Sequence, residues 1–236
     1  MTDKSISLQF DWDKIETDLN ARGWAVLPEL FSVQTCAELI SVYDGDPTRF
    51  RSKVVMQRHG FGRGEYQYFR YPLPNQISAI REDVYERLVP IANRWARRLG
   101  KDWFYPQTHK EYLQSCHQAG QKRPTPLLLK YGPGDYNCLH QDLYGEQLFP
   151  LQMAVLLSEP QVDFEGGSLV ITEQRPRMQS RPHIIPLTRG DGVIFAVNER
   201  PVEGTRGTYR VKLRHGVSEI WRGRRHTLGI IFHDAA

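Results

Sequence analysis

His140 and Asp142 stand one residue apart in YGPGDYNCLHQDLYGE, residues Tyr131 to Glu146. On an extended strand, side chains i and i+2 leave by the same face. An imidazole and a carboxylate would then point together while Gln141 points away. That pair is half of a metal site, and two histidines with one carboxylate and open positions suit non-haem Fe(II). The third ligand must come from elsewhere. The candidate is His215, 75 residues later in LRHGVSEIW. In a closed barrel, residues this distant can face each other across the mouth. Arg225 follows ten residues after His215, at the start of the last apolar run, and Thr227 shares its face. An inward arginine is costly unless it meets an anion. A guanidinium binds a carboxylate bidentately, and Tyr131 could add a hydroxyl to the same anion.

These residues need a frame. After Pro126 come LLLKY, YNCLH, LQMAVLL, SLVIT, GVIFAV, TYRVKLR and HTLGIIF, short β-rich runs separated by Gly, Pro and Asp. The pattern suggests an antiparallel sandwich or barrel, and about seven strands is near the number a jelly roll needs. The first half reads differently. Residues 11 to 22 look helical and stop at Gly23, WAVL reads as a strand, and Ser32 can cap a helix through about Tyr43. VVMQ and EYQYF read as a hairpin around the glycine-rich turn RHGFGRG. Ile77, Ile80, Val84, Leu88, Ile91, Trp95 and Leu99 form one apolar helical face, kinked at Pro90 and ended by Gly100. Thr108 and Glu111 make a capping box for a shorter helix. The long helix needs a sheet to pack on, so residues 1–236 read as one α+β unit, with a helical and lid region at 1–124 and the β core at 125–236.

Composition sets bounds. The 236 residues carry 40% hydrophobic and 25% charged residues, an ordinary globular balance. No apolar run reaches the ~18 residues of a membrane helix. The N-terminus MTDKSISLQFDWDK lacks the apolar core of a secretion signal. Cys36, Cys116 and Cys138 are scattered, so a cytoplasmic protein with free thiols is expected. A net charge of +4 permits an acidic partner such as nucleic acid without arguing strongly for one. His59, His109, His117, His183, His226 and His233 read as structural or solvated. NERPVEGTRGTYR reads as a loop and hairpin at the barrel mouth.

The second half resembles the Fe(II)- and 2-oxoglutarate-dependent dioxygenases, a double-stranded β-helix (jelly-roll) superfamily. The matching pieces are YGPGDYNCLHQD, FEGGSLVIT, PLTRGDGVIF, LRHGVSEI and RRHTLGIIF, in order over residues 127–234. The resemblance implies a jelly-roll core with the N-terminal helices packed on it. It implies Fe(II) held by His140, Asp142 and His215. It implies 2-oxoglutarate bound through its distal carboxylate by Arg225, with Thr227 and Tyr131, and O2 as the oxidant. 2-Oxoglutarate would be decarboxylated to succinate while a substrate C–H bond is hydroxylated; a hydroxylated N-methyl group would collapse to formaldehyde and the demethylated amine.

The last strands and the FEGG turn resemble prolyl-hydroxylase-type members, apart from Ser168 at an acidic position of that turn. The front end resembles AlkB-type nucleic-acid demethylases, in which a hairpin lid precedes a helix, a PG turn and LHQD. Tyr66, Tyr68 and Tyr144 would then face substrate. Thr227 and Ile231 stand where AlkB-type enzymes carry an asparagine and a second arginine, and Tyr144 and Gly145 replace acidic residues. The expected substrate is alkylated nucleic acid, with a peptidyl (prolyl) or small-molecule hydroxylase as the alternative. A cupin-like metal-binding or sensor protein without turnover, and a zinc hydrolase, are the other readings of the three ligands. Neither gives Arg225 an anion to bind.

Overall fold

The computed structural model describes residues 10–143 and 145–236. Tyr144 and residues 1–9 lie outside the described residues. The first half carries helices α1 (Trp12–Arg22), α2 (Val33–Gly45), α3 (Asn75–Arg98) and α4 (His109–Gln118), with strands β1 (Trp24–Leu27), β2 (Phe50–Val55), β3 (Gly62–Arg63) and β4 (Glu65–Phe69). The second half carries β5 (Leu127–Tyr131), β6 (Tyr136–His140), β7 (Leu151–Leu156), β8 (Phe164–Gly166), β9 (Leu169–Gln174) and β10 (Arg181–Ile185). It continues with β11 (Gly192–Ala196), β12 (Glu199–Gly204), β13 (Gly207–Val217), β14 (Ile220–Gly223) and β15 (Arg225–Ile230).

Local chemistry explains the boundaries. Asp11 caps α1 by accepting from the Lys14 amide, and Gly23, at φ 81°, ends it. Thr108 and Glu111 complete the expected capping box of α4. α3 runs through Pro90 without a break, contrary to the boundary a proline usually imposes. Pro90 and Glu86 both lie on the exposed face, so the carbonyl that loses its amide partner is turned toward water.

The strands form the two sheets of a jelly roll. One has seven strands in the order β1-β11-β7-β15-β5-β4-β2. The other runs β10-β9-β13-β6-β3, with β12 added beside β13, and β14 pairs β8 separately. Among the described residues the second half thus holds eleven strands rather than about seven. Those unforeseen are short or broken by charged residues, such as FEG and ERPVEG, and show little alternation. The buried stripe of α3, including Ile80, Leu88 and Trp95, shares a single core cluster with Val155, Phe195 and Leu228 of the large sheet.

Two details bear on the site. The β2 strand begins earlier than the sequence suggests, and Met56–His59 forms a 3-10 turn closed by Gly60 at φ 70°. The glycine-rich turn beyond it pairs as β3 with β6, the strand that ends at His140, in the register Gly62↔Asn137. The supposed lid is therefore built into both sheets. The β12–β13 hairpin also differs from expectation. It packs on α1 and the end of α3, with Arg98 bonded to Glu203 at 2.9 Å, rather than at the barrel mouth.

Candidate metal centre and co-substrate pocket

β6 delivers His140 at its last residue, and β13 delivers His215 directly opposite, since the two are Cα partners in the antiparallel ladder. The histidines thus come from hydrogen-bonded neighbours, not from opposite sides of a mouth. Their rings lie 4.2 Å apart, centroid to centroid. Asp142 lies just past the end of β6. One carboxylate oxygen, Oδ1, is 3.5 Å from His140 Nε2, and Oδ2 is 3.4 Å from His215 Nε2. The ligand atoms of all three residues fall within 4.8 Å of one another. His140 Nδ1 lies 2.7 Å from the Cys138 carbonyl, which fixes the proton there and leaves Nε2 free to ligate. The His215 ring packs on Phe195, centroids 4.7 Å apart.

The charges suit a cation. Burial raises the Asp142 pKa, but hydrogen bonds from His140 and His215 outweigh it and hold the carboxylate well below its ordinary range. His215 is pushed below its ordinary value by burial, more than Asp142 raises it. Burial lowers the His140 pKa, but the hydrogen bond to Asp142 and its charge outweigh that and raise it, so a metal would displace a proton from His140 while meeting an ionised Asp142 and a neutral His215.

Arg225 begins β15 and is the Cα partner of Tyr131 at the end of β5, so their side chains share one face. Arg225 is 3% exposed and has no carboxylate partner among the described residues. It donates to the Thr227 hydroxyl, two residues on along the same face, while its Nε is unpaired. Burial lowers its pKa to about 10, so it stays cationic at neutral pH. The Tyr131 hydroxyl is likewise buried, with the Asn137 side chain near it but no hydrogen bond of good geometry among the described residues, and its ring lies 5.8 Å from the guanidinium. Two orphaned donors around a buried positive charge fit a carboxylate.

These groups line one cavity of about 480 Å³, within the size range of small-ligand sites. Tyr66 and Tyr68, successive residues on one face of β4, form part of its wall, with their rings edge to face at 5.4 Å. Burial raises both phenol pKa values, and the Asp142 charge adds to the rise. Ile231 also lines the cavity. Tyr144, the third expected substrate residue, lies outside the described residues.

Residues 64–235 match the model of the Oxygenase-NA family, described as "Oxygenase, catalysing oxidative methylation of damaged DNA". The chain belongs to this family. An uncharacterized protein of Mycobacterium tuberculosis, found in strains CDC 1551 and H37Rv, is 46% identical over 168 residues, which is 71% of this chain and 72% of that protein. Among solved structures, a prolyl-4-hydroxylase of Pseudomonas putida aligns with a TM-score of 0.56 at 13% identity, covering 96% of this chain and all of that one. An oxidoreductase of the 2OG-Fe(II) oxygenase family from Burkholderia pseudomallei aligns at 0.51 and 12% identity, covering 97% and 94%. At such identities the likeness concerns the fold. The Oxygenase-NA protein is thus an oxygenase on the 2-oxoglutarate–Fe(II) oxygenase fold. The cofactor set that goes with it is Fe(II), 2-oxoglutarate and O2, and the His140, Asp142 and His215 cluster could bind the iron.

Some cavity residues of this oxygenase were not singled out from sequence. Gln152 reaches Asp142 and His215 from the opposite sheet. Its signal was there: it is the one polar residue in LQMAVLL, a run otherwise fit for burial. Phe61 and Gly60 line the cavity because β3 docks on β6, a pairing that two residues of strand cannot announce.

Proposed function

We propose that this oxygenase hydroxylates N-linked methyl groups of alkylated nucleic acid. 2-Oxoglutarate is decarboxylated to succinate and CO2 as one atom of O2 enters the substrate C–H bond. The N-hydroxymethyl product then breaks its C–N bond to release formaldehyde and the amine. His140, Asp142 and His215 would hold the iron, which supplies O2 activation. Arg225 binds the distal carboxylate of 2-oxoglutarate, with Thr227 orienting the guanidinium and Tyr131 donating its hydroxyl. Tyr66 and Tyr68 offer an aromatic wall against which an extruded base can stack. The shared core of α3 and the large sheet supports a single catalytic unit rather than separable halves.

The observation that carries the oxygenase reading is Arg225. A buried guanidinium with no carboxylate beside it among the described residues is expensive to fold around, and it opens into the same cavity as the three ligand side chains. A 2-oxo dicarboxylate would satisfy both ends of that cavity. For the substrate, support comes from the family, described as acting on damaged DNA. The prolyl-4-hydroxylase fold supports a second reading, hydroxylation of a peptide, and the apolar Ile231 in place of a second arginine agrees with it.

The test incubates the Fe(II)-loaded protein with 2-oxoglutarate, O2 and a panel of methylated oligonucleotides and proline-containing peptides. The expected result is succinate in step with formaldehyde, and oligonucleotides lighter by one methylene. Succinate coupled only to a peptide made heavier by one oxygen would replace the nucleic-acid reading with the second one.

A further inference from the structure

Gln152 sits on β7 in the large sheet, whereas His140 and His215 belong to the smaller one. Its side chain crosses the interior between the sheets. The amide Nε2 donates to Asp142 Oδ2 at 2.9 Å and lies 3.2 Å from His215 Nε2. The residue is 6% exposed, and its Oε1 is buried with no hydrogen-bond partner among the described residues. An unsatisfied buried acceptor destabilises the fold that holds it. A leucine or methionine, like the neighbours Leu151 and Met153, would fold there without that cost. A carboxylate only accepts, so Asp142 sets which end of the amide faces it.

We infer that Gln152 is a positioning residue for the metal centre: it holds Asp142 Oδ2 from the facing sheet and so leaves Oδ1, on the His140 side, as the ligating oxygen. Asp142 needs such a hold because it lies beyond the end of β6, where no ladder fixes its backbone. Among the described residues the carboxylate has hydrogen-bonding partners in the two histidines, which a metal would engage, and in Gln152. The amide therefore keeps the carboxylate aimed both before and after a metal arrives. It also ties the centre to β7, whose neighbour β15 carries Arg225, so the metal and co-substrate ends of the cavity share a support.

The inference rests on His140, Asp142 and His215 holding a divalent ion, and the experiment separates the two claims. Mn(II) binding to the metal-stripped full chain is measured by calorimetry for the wild type, Asp142→Ala, Gln152→Leu and Gln152→Met. The Co(II) forms are compared by visible absorption. The wild type should bind one ion and Asp142→Ala should lose it. Both Gln152 variants should bind Mn(II) about 10–100-fold more weakly, the usual effect of removing a partner that orients a ligand. Their Co(II) bands should shift, while melting temperatures stay at or above the wild-type value. Space-filling alone would move neither readout, because leucine and methionine fill the same volume. If the leucine variant fails to fold, the unbranched methionine carries the test. Wild-type affinity and an unshifted Co(II) spectrum in a folded Gln152 variant would overturn the inference while leaving the metal centre standing. No ion bound by the wild type would overturn both.

Discussion

At the scale of single residues, the site sets stability against binding. Arg225 in the co-substrate-free protein is a buried charge whose partners are a hydroxyl and two aromatic rings, Tyr131 and Phe164. Replacing a poorly compensated buried charge with an apolar side chain is neutral or stabilising, by up to about 4 kcal/mol. Arg225→Met should therefore melt no lower than the wild type when 2-oxoglutarate is absent. With 2-oxoglutarate the order reverses. The wild type should gain about 2.7 kcal/mol at a hundredfold excess over its dissociation constant. The variant should gain almost nothing, having lost a buried charge pair worth about 2–5 kcal/mol. Thermal melts with and without 2-oxoglutarate read both effects, and a variant that still responds to it would remove Arg225 from the pocket. The residues of this site were legible to different degrees. His140 and Asp142 announced themselves because a spacing of two on a strand is a geometric statement. Arg225 and Thr227 did so for the same reason. Gln152 did not, because a single amide in an apolar run is ambiguous until the facing sheet shows what it meets.

At the scale of elements, the sequence spoke most clearly where periodicity is long. α3 could be read from its apolar stripe, and α4 from its capping box. β8, β12 and β14 could not, since three to six residues with little alternation carry almost no periodic signal. The glycine-rich turn was legible as a turn but not as a strand partner. Gly62, at φ 123°, occupies backbone space that L side chains rarely adopt, and a Cβ there would lie 2.4 Å from the Tyr136 carbonyl oxygen. Only a glycine lets β3 approach β6 so closely. The same contact lets the Phe61 carbonyl accept from the Cys138 amide at 2.9 Å, and the Cys138 carbonyl in turn anchors His140. Gly62→Ala should destabilise the fold by about 1–3 kcal/mol. It should also raise KM for the substrate as the turn lifts from the cavity wall. Gly45→Ala is the control: nothing lies within 4 Å of its added methyl group, at the last residue of α2. That variant should be neutral or more stable by about 0.5–1 kcal/mol. Urea unfolding of both proteins, with KM measured beside it, checks the pair; equal effects at the two glycines would refute the role given to β3.

At the scale of the whole molecule, the two halves are held by buried polar groups that the sequence left unremarked. Arg81, on the buried side of α3, pairs with Asp234 at 2.9 Å and donates to the carbonyls of Ile231, Phe232 and His233. Both side chains of the pair are almost fully buried. Arg81→Ala should cost about 3–5 kcal/mol, since the buried Asp234 carboxylate would lose its guanidinium and keep only the Tyr71 hydroxyl and the His117 ring beside it, and a drop in the urea midpoint measures it. The buried histidines give the fold a pH dependence of definite sign. Burial lowers His109 to about 3, and His226 and His233 to about 4. In the unfolded chain each titrates near ~6.5. Between roughly pH 6.5 and 4 the unfolded state binds protons that the folded state refuses, so stability falls as the solution is acidified. Above that window all three are neutral in both states and contribute no slope. Each histidine contributes up to about 1.4 kcal/mol per pH unit within the window. His226 is the cleanest probe, since its ring meets the Ser158 hydroxyl and the edge of Tyr43 and does not line the cavity. Urea midpoints of the wild type and His226→Gln, followed from pH 7.5 down to pH 5 (about one and a half units into the window), should run parallel at first and converge below about 6.5 as the wild type loses stability faster. Curves that stayed parallel throughout would mean that His226 takes up its proton inside the folded protein.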